Sequence, residues 1–185
     1  MFGKIDFLNY VILFISVFAS ITDLIWRKIF NWFTVPAAVA GVAAAVYFQG
    51  WSGLLQAVLG LLAGFALYGW MFWFRYIGGG DVKLLMVFGA WGGVAYVCQV
   101  AFLGVLIGGA FSLVILIVRG QFWVFAKRMY EFIQSILISE LEVQSLHINK
   151  SLTFPFGISI ALAAVWTAFH PQRAPLESLG IKLWN

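Results

Sequence analysis

The chain has 185 residues, 63% of them hydrophobic and only 10% charged, with a formal net charge of +4. A soluble domain of this size devotes about a quarter of its residues to charged side chains, so the composition excludes an ordinary water-soluble protein and predicts an all-α, polytopic membrane protein. One cysteine, Cys98, excludes an internal disulfide framework and a multi-cysteine zinc site. The positive charge is expected to face anionic lipid headgroups, with no call for nucleic acid.

The first predicted span covers roughly residues 7–26. Lys4 and Asp6 before a long apolar run resemble a signal peptide, but the run lacks a small-residue cleavage site and ends in Asp-Leu-Ile-Trp-Arg-Lys. A retained span is expected. Asp23 lies about one turn inside its end, four residues before Arg27. A carboxylate at membrane depth is costly and marks function by default; the plainer reading is an i,i+4 pair with Arg27 that snorkels to the interface.

Residues 29–74 and 84–118 contain no charged side chain. At about 20 residues per crossing, each stretch holds two spans, placed roughly at 30–48, 54–74, 82–95 and 97–118. As one straight helix, residues 84–118 would run about 52 Å, beyond the roughly 30 Å hydrocarbon core. Gly92-Gly93 is the expected break. Small residues such as those of Ala37-Ala38-Val39-Ala40-Gly41 and Gly108-Gly109-Ala110 suit close helix packing in lipid.

Between the third and fourth spans lies Gly78-Gly79-Gly80-Asp81-Val82-Lys83. Three glycines are poor helix formers, each about 1 kcal/mol worse than Ala, so the fourth helix is expected to start near Val82. Gly78 and Gly80 permit unusual backbone and leave room for a second chain. Asp81 would sit at the helix start, where the dipole favours an anion; a loop with an N-capping aspartate is the plainer alternative.

Residues 121–139 read as an interfacial amphipathic helix. Phe122, Phe125, Met129, Phe132, Ile133 and Ile136 share one face, opposite Gln121, Lys127, Arg128 and Glu131. It would anchor the chain or guide a membrane-bound substrate. A last span covers roughly 153–169, opened by Pro155-Phe156-Gly157. The whole chain, 1–185, reads as a single domain.

Eight of the eleven basic residues fall in loops 1–2, 3–4 and 5–6: Arg27, Lys28, Arg75, Lys83, Arg119, Lys127, Arg128 and Lys150. The bias puts these loops in the cytoplasm and both termini outside. Asp23 and Asp81 then share the cytoplasmic face, and apart from Asp6 they are the acidic residues before Glu131. Two close carboxylates on separate helices share a proton around a bound water. One acts as general base toward that water while the protonated one polarises a carbonyl. His147 and His170 are too few and too scattered for a metal site. No metal or other cofactor is expected.

These residues resemble the type IV prepilin peptidases, a family of Gly-x-Gly-Asp membrane aspartic proteases. Gly78 to Leu85, with Gly89-Ala90-Trp91 beyond, is similar to the family's second-aspartate region. Asp23 with Arg27, Ile29 and Asn31 is similar to the first, an Asp followed eight residues on by Asn. Pro155-Phe156-Gly157 is similar to the late Pro-Phe/Tyr-Gly element. Phe30 stands where the family commonly has Pro, which bears on the turn between helices 1 and 2 and not on the aspartate.

The resemblance implies catalytic Asp23 and Asp81. Gly78, Gly80, Lys83, Arg27, Asn31, Pro155 and Gly157 would support them, with Lys83 orienting Asp81 and Arg27 orienting Asp23. It implies cleavage of a membrane-embedded prepilin's short leader at the cytoplasmic face of a bacterial inner membrane. The cysteine-rich zinc segment of the longer members is missing, so N-methyltransferase activity is not expected. The chain looks like the short form found with Flp-type, tight-adherence pili. Homo-oligomerisation stays open. The main alternative is a small proton- or cation-coupled transporter or channel subunit using the same aspartates.

Overall fold

The computed structural model describes residues 4–120 and 156–170, together with Trp123, Lys127 and Gln134. The described residues form helices and no strand: α1 (Lys4–Trp26), α2 (Asn31–Trp73), α3 (Gly79–Val118) and α4 (Phe156–Phe169). Three of them, α1, α2 and α3, are long and apolar enough to cross a membrane. The predicted amphipathic helix at 121–139 and Pro155 lie outside the described residues, apart from the helical positions Trp123, Lys127 and Gln134. The described residues fall into two compact units. One contains those within Met1–Ile107 and Pro155–Asn185, the other those within Gly108–Phe154.

Two glycines break the long helices. Gly50 has φ 62°, ψ −136° inside α2, and Gly93 has φ 77°, ψ −175° inside α3. A side chain would be strained at either φ, and glycine is not. The first break separates residues 31–49 from 51–73, and the two halves turn back on each other: a Cβ on Gly53 would collide with the Ala45 carbonyl. The break expected at Gly92-Gly93 is thus found at Gly93, whereas the expected gap between residues 48 and 54 shrinks to Gly50 alone.

The expected start of the fourth helix near Val82 is corrected: α3 begins at Gly79, so two of the three glycines are helical. The first-turn N–H groups need no intrahelical partner, which makes glycine less costly there, and Asp81 caps the turn as described below. Gly80 is also packed against Ile29, where a Cβ would come within 3.0 Å of Ile29 Cβ.

The first half of α3 is the centre of the first unit. Val82, Leu84, Leu85, Val87, Phe88, Ala90 and Trp91 are all buried, so the segment is covered on every side. Residues 51–73 pack on it through glycines. A Cβ on Gly60 would overlap the Gly89 carbonyl, one on Gly89 would overlap that of Gly60, and one on Gly64 would lie 2.9 Å from the Leu85 carbonyl oxygen. Backbone meets backbone there, as small residues allow in lipid.

α1 and α4 lie against each other. α1 contributes a stripe at helical spacing, Ile12, Ile15, Ser16, Ala19, Thr22 and Asp23. α4 contributes small residues, among them Gly157, Ser159, Ala161, Ala163 and Ala164. Three aromatic donors tie helices across the unit: Trp91 Nε1 to the Ala37 carbonyl at 2.9 Å, Tyr68 Oη to that of Ala101 at 2.9 Å, and Tyr96 Oη to that of Ala164 at 2.7 Å. The outer surface carries large apolar side chains, including Phe14, Trp32, Val39 and Phe102, as a lipid-facing surface requires.

Candidate active site

Asp23 sits in the last turn of α1, which Arg27 closes. The Arg27 N–H donates to the Asp23 carbonyl at 2.9 Å, with Arg27 itself in the left-handed region at φ 50°. This is a helix C-terminal stop that usually falls to glycine. The Asp23 side chain points inward and is 7% exposed. It meets the first turn of α4, where a Cβ on Gly157 would lie 2.6 Å from Asp23 Oδ2. The Gly157 and Ile158 N–H groups and the Arg27 guanidinium supply the positive field around the carboxylate. Oδ2 has no hydrogen-bond partner.

Asp81 is the third residue of α3. Its Oδ2 accepts a hydrogen bond from the Gly78 N–H at 3.2 Å, and its own N–H donates to the Gly78 carbonyl at 3.1 Å. An N3 carboxylate reaching back to the N-cap N–H is one half of a capping box. Asp81 therefore secures the helix start from the third position, not as the N-cap that the sequence offered as its plainer role. The rest of its carboxylate remains available to the cavity.

The two aspartates, 58 positions apart in sequence, line one cavity of about 530 Å³ with Arg27, Lys28, Ile29, Phe30, Asn31, Trp32, Gly78, Gly79 and Gly80. Their carboxylates are close enough to act on each other electrostatically. Of the residues singled out from sequence, Asp23, Asp81, Arg27, Asn31, Gly78 and Gly80 share this cavity, and Gly157 backs Asp23 from α4. Lys83 is placed differently from expectation. Its Nζ donates to Asn31 Oδ1 at 2.7 Å, linking α3 to the first residue of α2. Positions i and i+2 of a helix do not face each other, which is why Lys83 turns toward Asn31 and away from Asp81.

Phe30, the residue in the place of the family's proline, has φ −79°, ψ 138°. Those are extended angles that a proline could also hold. Sequence reasoning gave no role to Ile29, Lys28, Phe30 or Trp32 in the lining. Ile29 lay within the first-aspartate motif, but an apolar residue in a loop carries no chemical signal of its own.

The arrangement has two acids, one of them buried with an unpaired oxygen, and two cations, Arg27 and Lys28, in the same lining. It can bind and activate water between two carboxylates. The family model described as the type IV leader peptidase family matches residues 10–113, a segment that includes both aspartates and the Gly-Gly-Gly turn. No curated protein and no solved structure gives a match. With more than half of its length matched, the chain belongs to the type IV leader peptidase family, a family of proteases.

Proposed function

We propose that the protein is an aspartic endopeptidase that removes the short leader of a type IV, Flp-like prepilin at the cytoplasmic face of a bacterial inner membrane. The observation that carries this reading is the meeting of Asp23 and Asp81 in one cavity at the ends of separate helices. The ionised carboxylate, as general base, takes a proton from water held between them as the water oxygen attacks the scissile carbonyl carbon, while the protonated one donates to the carbonyl oxygen. The unpaired Asp23 Oδ2 leaves an acceptor free for that water. A substrate anchored by its own transmembrane helix needs no soluble cleft; its peptide bond has only to reach the cavity mouth.

Six crossings fit this arrangement. With kinks at Gly50 and Gly93, segments 31–49, 51–73 and 94–118 are each near the length of one span, about 20 residues, while 79–92 is shorter and has its first turn against the cavity. The basic residues then gather on the cytoplasmic side, among them the cavity-lining Arg27 and Lys28. The single cysteine argues against the zinc-binding segment that accompanies N-methylation in longer relatives, so the proposed activity is peptidase alone.

Co-expression with a candidate prepilin tests the reading. Leader removal, followed on a gel, is expected for the wild type and lost for Asp23→Asn and for Asp81→Asn, with each variant still in the membrane. Normal processing by either variant would eliminate the pair. Proton or cation flux through vesicles that disappears in the same variants, without any processing, would favour a transporter instead.

A further inference from the structure

Ile29 is 9% exposed although it belongs to the connection between α1 and α2. Its side chain touches two glycines on different helices. A Cβ on Gly80 would lie 3.0 Å from Ile29 Cβ, and one on Gly157 would lie 3.2 Å from Ile29 Cδ1. Gly80 immediately precedes Asp81, and Gly157 lies against the Asp23 carboxylate. One apolar side chain thus fills the space between the turn that carries Asp81 and the turn that backs Asp23. Two residues further on, the Lys83–Asn31 hydrogen bond spans the same pair of segments on the exposed side.

An exposed hydrogen bond of this kind contributes little to global stability. Its geometric effect is larger, because it joins the start of α2 to the second turn of α3. We propose that Ile29 and the Asn31–Lys83 pair are positioning residues that together set the gap between the two carboxylates. Ile29 is an inner spacer that stops the α3 and α4 turns from closing further. The Asn31–Lys83 bond is an outer tie that stops α3 from drifting away from the α1–α2 connection. The two act in opposite senses on one distance, so neither needs to touch substrate. The proposal rests on the reading of Asp23 and Asp81 as the catalytic pair.

Two measurements on the purified full-length protein test it. With a prepilin substrate, Ile29→Ala is expected to lower kcat about tenfold or more, with KM little changed, since misplacement of about 1 Å can cost a hundredfold. Ile29→Val falls between Ile29→Ala and wild type. Asn31→Ala and Lys83→Ala lower kcat by similar factors, their double variant is no worse than either, and Lys83→Arg recovers part of the rate.

The second measurement reads distance without catalysis. In a Cys98→Ser background, Asp23→Cys with Asp81→Cys is treated with bifunctional thiol reagents of graded span. The best-reacting span shifts when Ile29→Ala or Asn31→Ala is added. Wild-type kcat in all the single variants, a loss confined to KM, or a lowered kcat with an unchanged span profile would each overturn the proposal. If even the wild type fails to cut any prepilin, the peptidase reading falls, and the span profile alone decides the spacing claim: a shift supports it and no shift refutes it.

Discussion

The ends of the two helices that carry the aspartates solve opposite problems. At the end of α1, Asp23 is buried with its Oδ2 unpaired, against Gly157 and beside the Gly157 and Ile158 N–H groups and Arg27. At the start of α3, Asp81 is only partly buried and is fastened to the Gly78 N–H. One carboxylate is buried with an oxygen left unpaired, and the other caps its own helix. Burial of an incompletely satisfied acid costs free energy, so Asp23 is the costlier of the two to fold around, whereas Asp81 supports its helix. The difference separates the activity of each residue from its contribution to stability.

The largest effect expected from this comparison is at Gly157. Alanine there would put its Cβ within 2.6 Å of Asp23 Oδ2, closer than any packed pair tolerates, and the short aspartate side chain is what can move. Gly157→Ala should therefore cut the rate of leader removal about a hundredfold while thermal unfolding in detergent changes little. Near-normal processing would show that Asp23 is not held by the α4 turn.

Next in size are the glycines that support the Asp81 helix. At Gly60 and Gly89 each missing side chain faces the other's backbone carbonyl, so nothing flexible can yield. Gly60→Ala or Gly89→Ala should destabilise the protein by about 1–3 kcal/mol, the usual range for overpacking, read as a lower unfolding midpoint. An unchanged midpoint would mean that residues 51–73 and 79–92 are not in close contact.

The carboxylates themselves give the sharpest contrast. Asp81→Ala removes the acceptor for the Gly78 N–H and should cost about 0.5–2 kcal/mol, as lost caps do. Asp81→Asn keeps an oxygen there and should hold stability while losing activity. Asp23→Ala removes a buried acid with an unpaired oxygen, so stability should be unchanged or raised. Equal losses for Asp23→Ala and Asp81→Ala would erase the distinction between the two ends.

Much of this was legible in the sequence. The charge-free stretches announced long apolar helices, and the near-absence of other acids before Glu131 isolated Asp23 and Asp81 as the pair to watch. The need for a break within 84–118 followed from length, and its place from the Gly92-Gly93 pair. The start of α3 was misplaced because glycine propensity was weighed as if in a helix interior, where its cost is greatest, and not in a capped first turn. The Lys83–Asn31 bond was hidden for another reason. It joins residues 52 positions apart, while the local pattern Asp-Val-Lys suggests a partner two residues away that helix geometry forbids. Ile29 was overlooked because its role is set by two glycines that come from other helices.

The smallest expected effect concerns Tyr68, which lies beneath the Asp81 turn. The contacts of Gly60 with Gly89 and of Gly64 with Leu85 fix an antiparallel register that brings Tyr68 level with Asp81, and the tyrosine is 2% exposed. A buried phenol beside a carboxylate invites a catalytic assignment. Its hydroxyl is already committed, however, donating to the Ala101 carbonyl at 2.9 Å, and its ring lies against Phe156 at 5.8 Å. Tyr68→Phe keeps the ring packing and removes that one hydrogen bond, so it should cost about 1 kcal/mol of stability and leave the rate of processing as it was. A rate that falls while stability holds would move the hydroxyl from the support of α3 into the chemistry.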